Sequence, residues 1–193
     1  MPGSSLWLLP PETHPLNDVL TSLIKRTAAR FGSSSLFVPH VTLTSNILPS
    51  TYESEPQKWL ESLPLPEGHD VRVDFEELNS EDVYVRKLYI KCQKTGGLKA
   101  LAKVCRKQAV DHGDEETVMK WVDETYNPHA SLLYHDCPQI NAKGLEETRE
   151  LARKEGIDLA ERSGGLSWSG GRVVLVATDK PIAEWKPIAE RVL

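Results

Sequence analysis

Residues 38–45 read Val-Pro-His-Val-Thr-Leu-Thr-Ser, and this stretch decides how the rest of the chain folds. Successive side chains of a strand point to opposite faces. Phe37, Val41 and Leu43 therefore fall on one side, and His40, Thr42 and Thr44 on the other. The pattern predicts a strand over residues 36–44 with one apolar face and one face carrying an imidazole and hydroxyls. The same order returns at residues 127–134, Asn-Pro-His-Ala-Ser-Leu-Leu-Tyr. With six histidines and 26 serines and threonines in the chain, a bare His-x-Ser/Thr is expected about once by chance. Requiring proline before and leucine after lowers that to about 0.01 per chain. Two copies point to a repeated unit.

Working outward, each copy has the same neighbours. Residues 5–9 form a short apolar strand, and Leu16, Val19, Leu20, Leu23, Thr27 and Phe31 follow at steps of three and four. With Pro15 near the start and Gly32 past the end, they predict an amphipathic helix over 16–31. Ahead of the second copy, residues 83–92 read as a strand with an irregularity near Arg86. Leu98, Leu101, Ala102, Cys105 and Ala109 then line one stripe of a helix over 97–111, with Thr95 as N-cap and Gly113 as stop. Strand, helix, strand thus occurs twice.

The segments between and after these units are plainer. Residues 46–68 read as a Pro- and Ser-rich connection around a short helix at 56–63, and 69–77 as a half-buried strand in a hairpin with 83–92. A long polar loop is predicted before the second signature. Beyond it come a helix over 141–155 with Gly156 as stop, a glycine-rich turn at 163–171, a buried strand over 172–178, and a final segment, 181–193, that fits helix or strand equally.

On a strand, residues two apart share a face at about 6.6 Å, so each signature offers an imidazole and a hydroxyl to one groove. If the copies face each other, the two imidazoles flank one phosphorus, where an in-line displacement needs its base and its acid. The hydroxyls would hold the non-bridging oxygens. An imidazole with an unperturbed pKa near 6.5 is suited to either proton transfer at neutral pH.

These residues resemble the 2H phosphoesterase superfamily, named for two His-x-Thr/Ser signatures, and within it the cyclic nucleotide phosphodiesterases of fungi and plants. The resemblance spans most of the chain: SLWLLPP near the N-terminus, VPHVTLTS, NPHASLLY and the closing VVLVATDKPIAEWKPIAE. It implies an α+β, bilobal fold of two antiparallel sheets related by a pseudo-two-fold, with helices outside and a cleft between the lobes of one domain over residues 1–193. It implies metal-independent hydrolysis of small ribose cyclic phosphates. These are ADP-ribose 1″,2″-cyclic phosphate, a by-product of tRNA splicing, and nucleoside 2′,3′-cyclic phosphates opened to 2′-phosphates. Carried over by position, His40 and His129 are the acid and base pair, with His129 activating water and His40 protonating the leaving oxygen. Thr42 and Ser131 become phosphate ligands, and Tyr134 a pocket residue. Strict alternation from His129 puts 131 and 133 on its face and Tyr134 on the other, so Tyr134 joins the site only if the strand's end or a bulge turns its ring.

Composition narrows the alternatives. The chain has 193 residues, 39% hydrophobic and 26% charged, with 13 aromatic residues, which describes a globular domain able to bury a core. A net charge of -5 speaks against coating long nucleic acid, and with it against an RNA-end-processing relative. A non-catalytic nucleotide-binding module would need the hydroxyls but not both imidazoles. Neither a membrane span nor a secretory leader is read, and three cysteines without CxxC spacing suggest neither disulfides nor zinc. The expected setting is cytoplasmic or nuclear, as a monomer acting on a small molecule without a cofactor. Trp7, Trp121, Tyr126 and Trp168 are candidates either for the core or for stacking on a base.

Overall fold

The computed structural model describes residues 3–159 and 166–193. Its elements are β1 (Ser4–Leu9), α1 (Leu16–Phe31), β2 (Val41–Ile47), α2 (Pro56–Ser62), β3 (Arg72–Asn79), β4 (Leu88–Cys92), α3 (Gly96–Ala109) and α4 (Glu115–Lys120), followed by β5 (His129–Leu133), α5 (Ala142–Lys154), β6 (Ser167–Ser169), β7 (Arg172–Ala177) and β8 (Pro187–Val192). The fold is α+β. The strands lie in the order β6-β3-β4-β5-β2-β1-β7-β8, and each neighbouring pair is antiparallel.

That order has its centre at the β2–β5 seam, which is held by a single partner pair, Val41 with Ala130. β1 and β2, which α1 connects, lie on one side of the seam, and β4 and β5, which α3 and α4 connect, lie on the other, so the duplicated unit of the sequence is present. Two separate sheets were expected; the strands form two quartets of one hydrogen-bonded order instead.

Local chemistry explains the helices. In α1 the stripe Leu16, Leu20, Leu23, Ile24, Thr27 and Ala28 is buried, and Gly32 at φ 77° returns its N–H to Ala28 O, a left-handed stop that suits glycine. The Thr95 hydroxyl accepts from Leu98 N at the start of α3, and Asn141 does the same for Gly144 at the start of α5. The helices cross over: α1 lies on β5 and α3 on β2, so each unit's helix covers the other unit's signature strand. The Thr27 hydroxyl donates to Leu132 O at 2.6 Å, tying α1 to β5. Leu23, Val41, Leu43, Leu101 and Ala130 are among the buried residues beneath these helices, and each large aliphatic side chain so buried contributes about 1.5 to 3 kcal/mol. Trp7, Leu9, Val174 and Val176 form a second, small apolar cluster with Trp185 packed against it.

Four expectations change. The first signature strand begins at Val41 rather than residue 36, and Phe37 sits outside it, stacked on Tyr134 instead of joining Val41 and Leu43. The loop expected before the second signature is folded: Asp114 caps α4, which runs on into a wide turn at Trp121–Thr125. Its acidic start is bound by Lys103 and Lys107, both paired with Glu115. Residues 181–193 resolve into one 3-10 turn, Ile182–Glu184, and β8 along β7. In the glycine-rich run, residues 163–165 lie outside the described residues; Ser167–Ser169 adds a strand to β3, and Gly171 turns at φ 126° where a Cβ would meet Leu9 O at 2.3 Å. Among the described residues, no helix is long and apolar enough to cross a membrane.

Candidate active site

The seam fixes the site. Val41 and Ala130 are direct partners and both point into the core, so one step either way along this antiparallel register sets Thr42 opposite His129 and His40 opposite Ser131, on the face away from the helices. Directly opposed residues have Cβ atoms about 5 Å apart, and diagonal ones about 7 to 8 Å. His40 and His129 hold one diagonal of the square, Thr42 and Ser131 the other.

Both histidines are held alike. The Nδ1 of His40 hydrogen-bonds Val38 O at 2.6 Å, and the Nδ1 of His129 bonds Asn127 O at 2.7 Å. In each case the partner is the carbonyl two residues earlier, so the proline between is part of the device: it bends the chain entering the strand. A carbonyl only accepts, so Nδ1 carries the proton when the ring is neutral and Nε2 is left with its lone pair. A ring from the adjacent strand backs each imidazole. Trp7, partnered with Thr42 in the β1–β2 ladder, stacks on His40 at 3.7 Å between centroids, and Tyr89, partnered with Ser131 in the β4–β5 ladder, meets His129 edge-on at 5.3 Å.

Electrostatics distinguish the two rings. Burial, countered by the Val38 hydrogen bond and helped by the nearby His129, lowers the His40 pKa to about 4. Burial also lowers His129, with Arg86 pushing the same way while the Asn127 bond and the Glu81 carboxylate oppose it. Glu81 is itself fixed by the Tyr89 hydroxyl at 2.6 Å and by Arg86 Nε at 2.9 Å.

The hydroxyls also differ. Thr42 is half-buried and has no side-chain hydrogen bond among the described residues, whereas Ser131 is buried and donates to Val85 O at 2.9 Å. Tyr134 follows the end of β5, where the ladder to β4 shifts register. Its buried ring stacks on Phe37 at 3.9 Å and meets Trp185 edge-on at 6.1 Å, while its hydroxyl lies beside Ser131. The end of the strand has therefore turned it to the Ser131 side.

Two clefts, of about 250 and 230 Å³ respectively, flank the square. One, beyond Ser131, is lined by Tyr84, Val85, Trp185 and the 178–182 segment. The other, beyond His129, includes Thr42, Thr44, Arg86, Arg106 and Trp121. The irregularity expected near Arg86 is a 3-10 turn, Tyr84–Arg86, whose first two residues face one cleft and whose last faces the other.

Sequence reading missed Arg86, Tyr89, Glu81 and Trp185. The register equivalence of Tyr89 with Trp7 was the available signal for one of them; the others come from loops. Of the four proposed stackers, Trp168 is buried on Phe75, Trp7 backs His40, and Trp121 and the mostly buried Tyr126 both line the cleft beyond His129. His14 accepts from Leu16 N at a helix start, as a capping residue. Among the described residues, no group of three His, Cys, Asp or Glu side chains is placed to hold a metal ion.

The chain matches the model of one family, described as cyclic phosphodiesterase-like protein, over residues 1–193. It is 56% identical over 193 residues to a protein of Phaeosphaeria nodorum and 39% identical over 213 positions to one of Neurospora crassa, covering all of both chains in each comparison. A Saccharomyces cerevisiae protein is 26% identical over 169 positions, 76% of this chain and 70% of that one. All three relatives bear the name 2′,3′-cyclic-nucleotide 3′-phosphodiesterase.

Proposed function

Because this chain belongs to the family of cyclic phosphodiesterase-like proteins, we propose that it is a phosphodiester hydrolase that opens nucleoside 2′,3′-cyclic phosphates to 2′-phosphates by a two-histidine mechanism. The observation that carries this is the square at the β2–β5 seam, with two identically hydrogen-bonded imidazoles across one diagonal. A cyclic phosphate of a few ångströms fits between rings whose Cβ atoms stand about 7 to 8 Å apart.

The site's work is the transfer of two protons. Water attacks phosphorus while one Nε2 takes its proton; the P–O3′ bond breaks, and the other imidazole, protonated, gives its proton to O3′. Following the sequence reading, His129 takes the first proton and His40 supplies the second. Burial keeps both rings neutral in the empty site, so the anionic substrate must itself favour protonating one of them. The Thr42 hydroxyl donates to a non-bridging oxygen directly, and Ser131 does so by turning its proton away from Val85 O. Tyr134 places its hydroxyl beside Ser131. Two imidazoles and two hydroxyls supply each transfer the displacement needs, and for that reason we read the reaction as independent of a metal ion. Tyr84 and Trp185 offer aromatic faces to the base.

We extend the reading to ADP-ribose 1″,2″-cyclic phosphate, since the four side chains of the square would need to reach only a five-membered cyclic phosphate, which both compounds carry on a ribose. The two strand quartets are then two lobes of a single domain, with the cleft at their seam. Incubation with nucleoside 2′,3′-cyclic phosphate and, separately, with ADP-ribose 1″,2″-cyclic phosphate, followed by product identification, tests this. A 2′-phosphate product is expected; unchanged nucleotide or a 3′-phosphate would overturn the mechanism.

A further inference from the structure

We infer that the cleft beyond His129 is a subsite for a second phosphate of the substrate, carried on the 5′ carbon of the same ribose. This deepens the proposed hydrolysis and rests on it.

The charged side chains that line this cleft are Arg86, Arg106 and His129, and its lining contains no carboxylate, in a chain whose net charge is -5. Each arginine is aimed by an acidic partner behind it. Arg86 gives Nε and Nη2 to Glu81, and Arg106 gives Nε and Nη2 to Asp111. In both, Nη1 has no hydrogen-bond partner among the described residues. Arg106 is also held over the Trp121 ring, 4.9 Å from its centroid. Two guanidiniums fixed from behind, each with an unused donor, form a site preorganised for an anion. On the same wall Thr44 Oγ1 is buried without a partner among the described residues.

The covalent geometry of ribose explains why the phosphate would arrive here. With the cyclic phosphate on C2′ and C3′ seated in the square, the substituents on C1′ and C4′ leave the opposite edge of the ring in diverging directions. The base on C1′ and the 5′ group on C4′ must then enter different clefts. One cleft presents Tyr84 and Trp185, with Asp179 and Lys180 offsetting each other in charge; the other has Trp121 and Tyr126 in its wall but adds two arginines and no carboxylate. The base matches the first and a 5′-phosphate the second.

The test uses the full chain and two substrates, adenosine 2′,3′-cyclic phosphate with a 5′-hydroxyl and the same compound with a 5′-phosphate. The phosphorylated substrate should show a KM about tenfold lower, the scale of an added charge-assisted contact, and that advantage should shrink as salt is raised. Arg106→Gln should bring the two KM values together. If neither substrate is opened, the proposed hydrolysis itself has failed. Equal KM values in the unaltered chain, or a preference for the 5′-hydroxyl, overturn the subsite alone. A preference that persists in a folded Arg106→Gln chain overturns its placement. Should that variant not fold, the salt series on the unaltered chain decides: an advantage insensitive to salt rules out a phosphate held by arginines.

Discussion

Trp7 lies flat on His40, ring centroids 3.7 Å apart and planes 11° from parallel. The indole replaces water on one face of the imidazole, which is why charging the ring costs so much and its pKa falls from 6.5 to about 4. The consequence for stability has a definite sign. In the unfolded chain His40 binds a proton below about pH 6.5; in the fold it resists until about pH 4. As pH falls through that window the unfolded state gains protons that the folded state lacks, so stability is lost, by about 3 kcal/mol at the acid end for His40 alone. Urea unfolding at pH 7, 5.5 and 4.5 should show this slope, and His40→Asn should flatten it by roughly that amount. An unchanged slope in the variant would mean that His40 is not the group responsible.

The pH dependence of kcat/KM reads the empty enzyme, in which one ring must be protonated and the other neutral. The pH dependence of that product of fractions is the same whichever ring is the base, although its size is not. With His40 near pH 4 and His129 also below its ordinary value, the kcat/KM maximum should fall below about pH 6.5. Once bound, the anionic substrate raises both rings, so the maximum in kcat should lie at higher pH. Coincident profiles for kcat and kcat/KM would show that the substrate's charge does not reach the imidazoles.

Much of this site was legible in residues 38–45 and 127–134, because a strand's period of two turns a sequence pattern directly into a shared face. Helices α1, α3 and α5 were legible from their stripes and caps. What was not legible depends on contacts that have no sequence period. Whether α1 covers its own strand or β5 is decided by packing across the seam, and the single Val41–Ala130 pair that makes a square of two signatures is a long-range register. α4 and the wide turn after it were overlooked although Asp114 marks the start and Val118 and Val122 the inward face of the two, because the acidic run around them resembles a solvated loop. Arg86 and Glu81 reach the site from irregular backbone between β3 and β4, where no pattern assigns direction.

The inequality of the two hydroxyls predicts unequal losses. Thr42 has no side-chain partner to give up, whereas Ser131 must release Val85 O before it can donate to substrate. Thr42→Val should therefore lower kcat/KM by about 10- to 100-fold, and Ser131→Ala by less, since the net gain from its new bond is reduced by the one it loses. Steady-state kinetics on 2′,3′-cyclic nucleotide decides this, and a larger loss in Ser131→Ala would mean that Ser131 carries the phosphate alone.

Replacing either imidazole should matter far more than replacing a hydroxyl, since each performs a whole proton transfer. His40→Ala and His129→Ala should each reduce turnover by at least about 100-fold. The double variant should lose little beyond the worse single one, because a base without its acid accomplishes little more than neither. His40→Ala also leaves Trp7 facing a void, so circular dichroism and the unfolding midpoint must accompany the rates to separate lost chemistry from lost structure. A folded single variant retaining ordinary turnover would show that its ring moves no proton. If activity were lost with a chelator and restored by Zn²⁺ or Mg²⁺, that part of the work would pass from an imidazole to a metal ion.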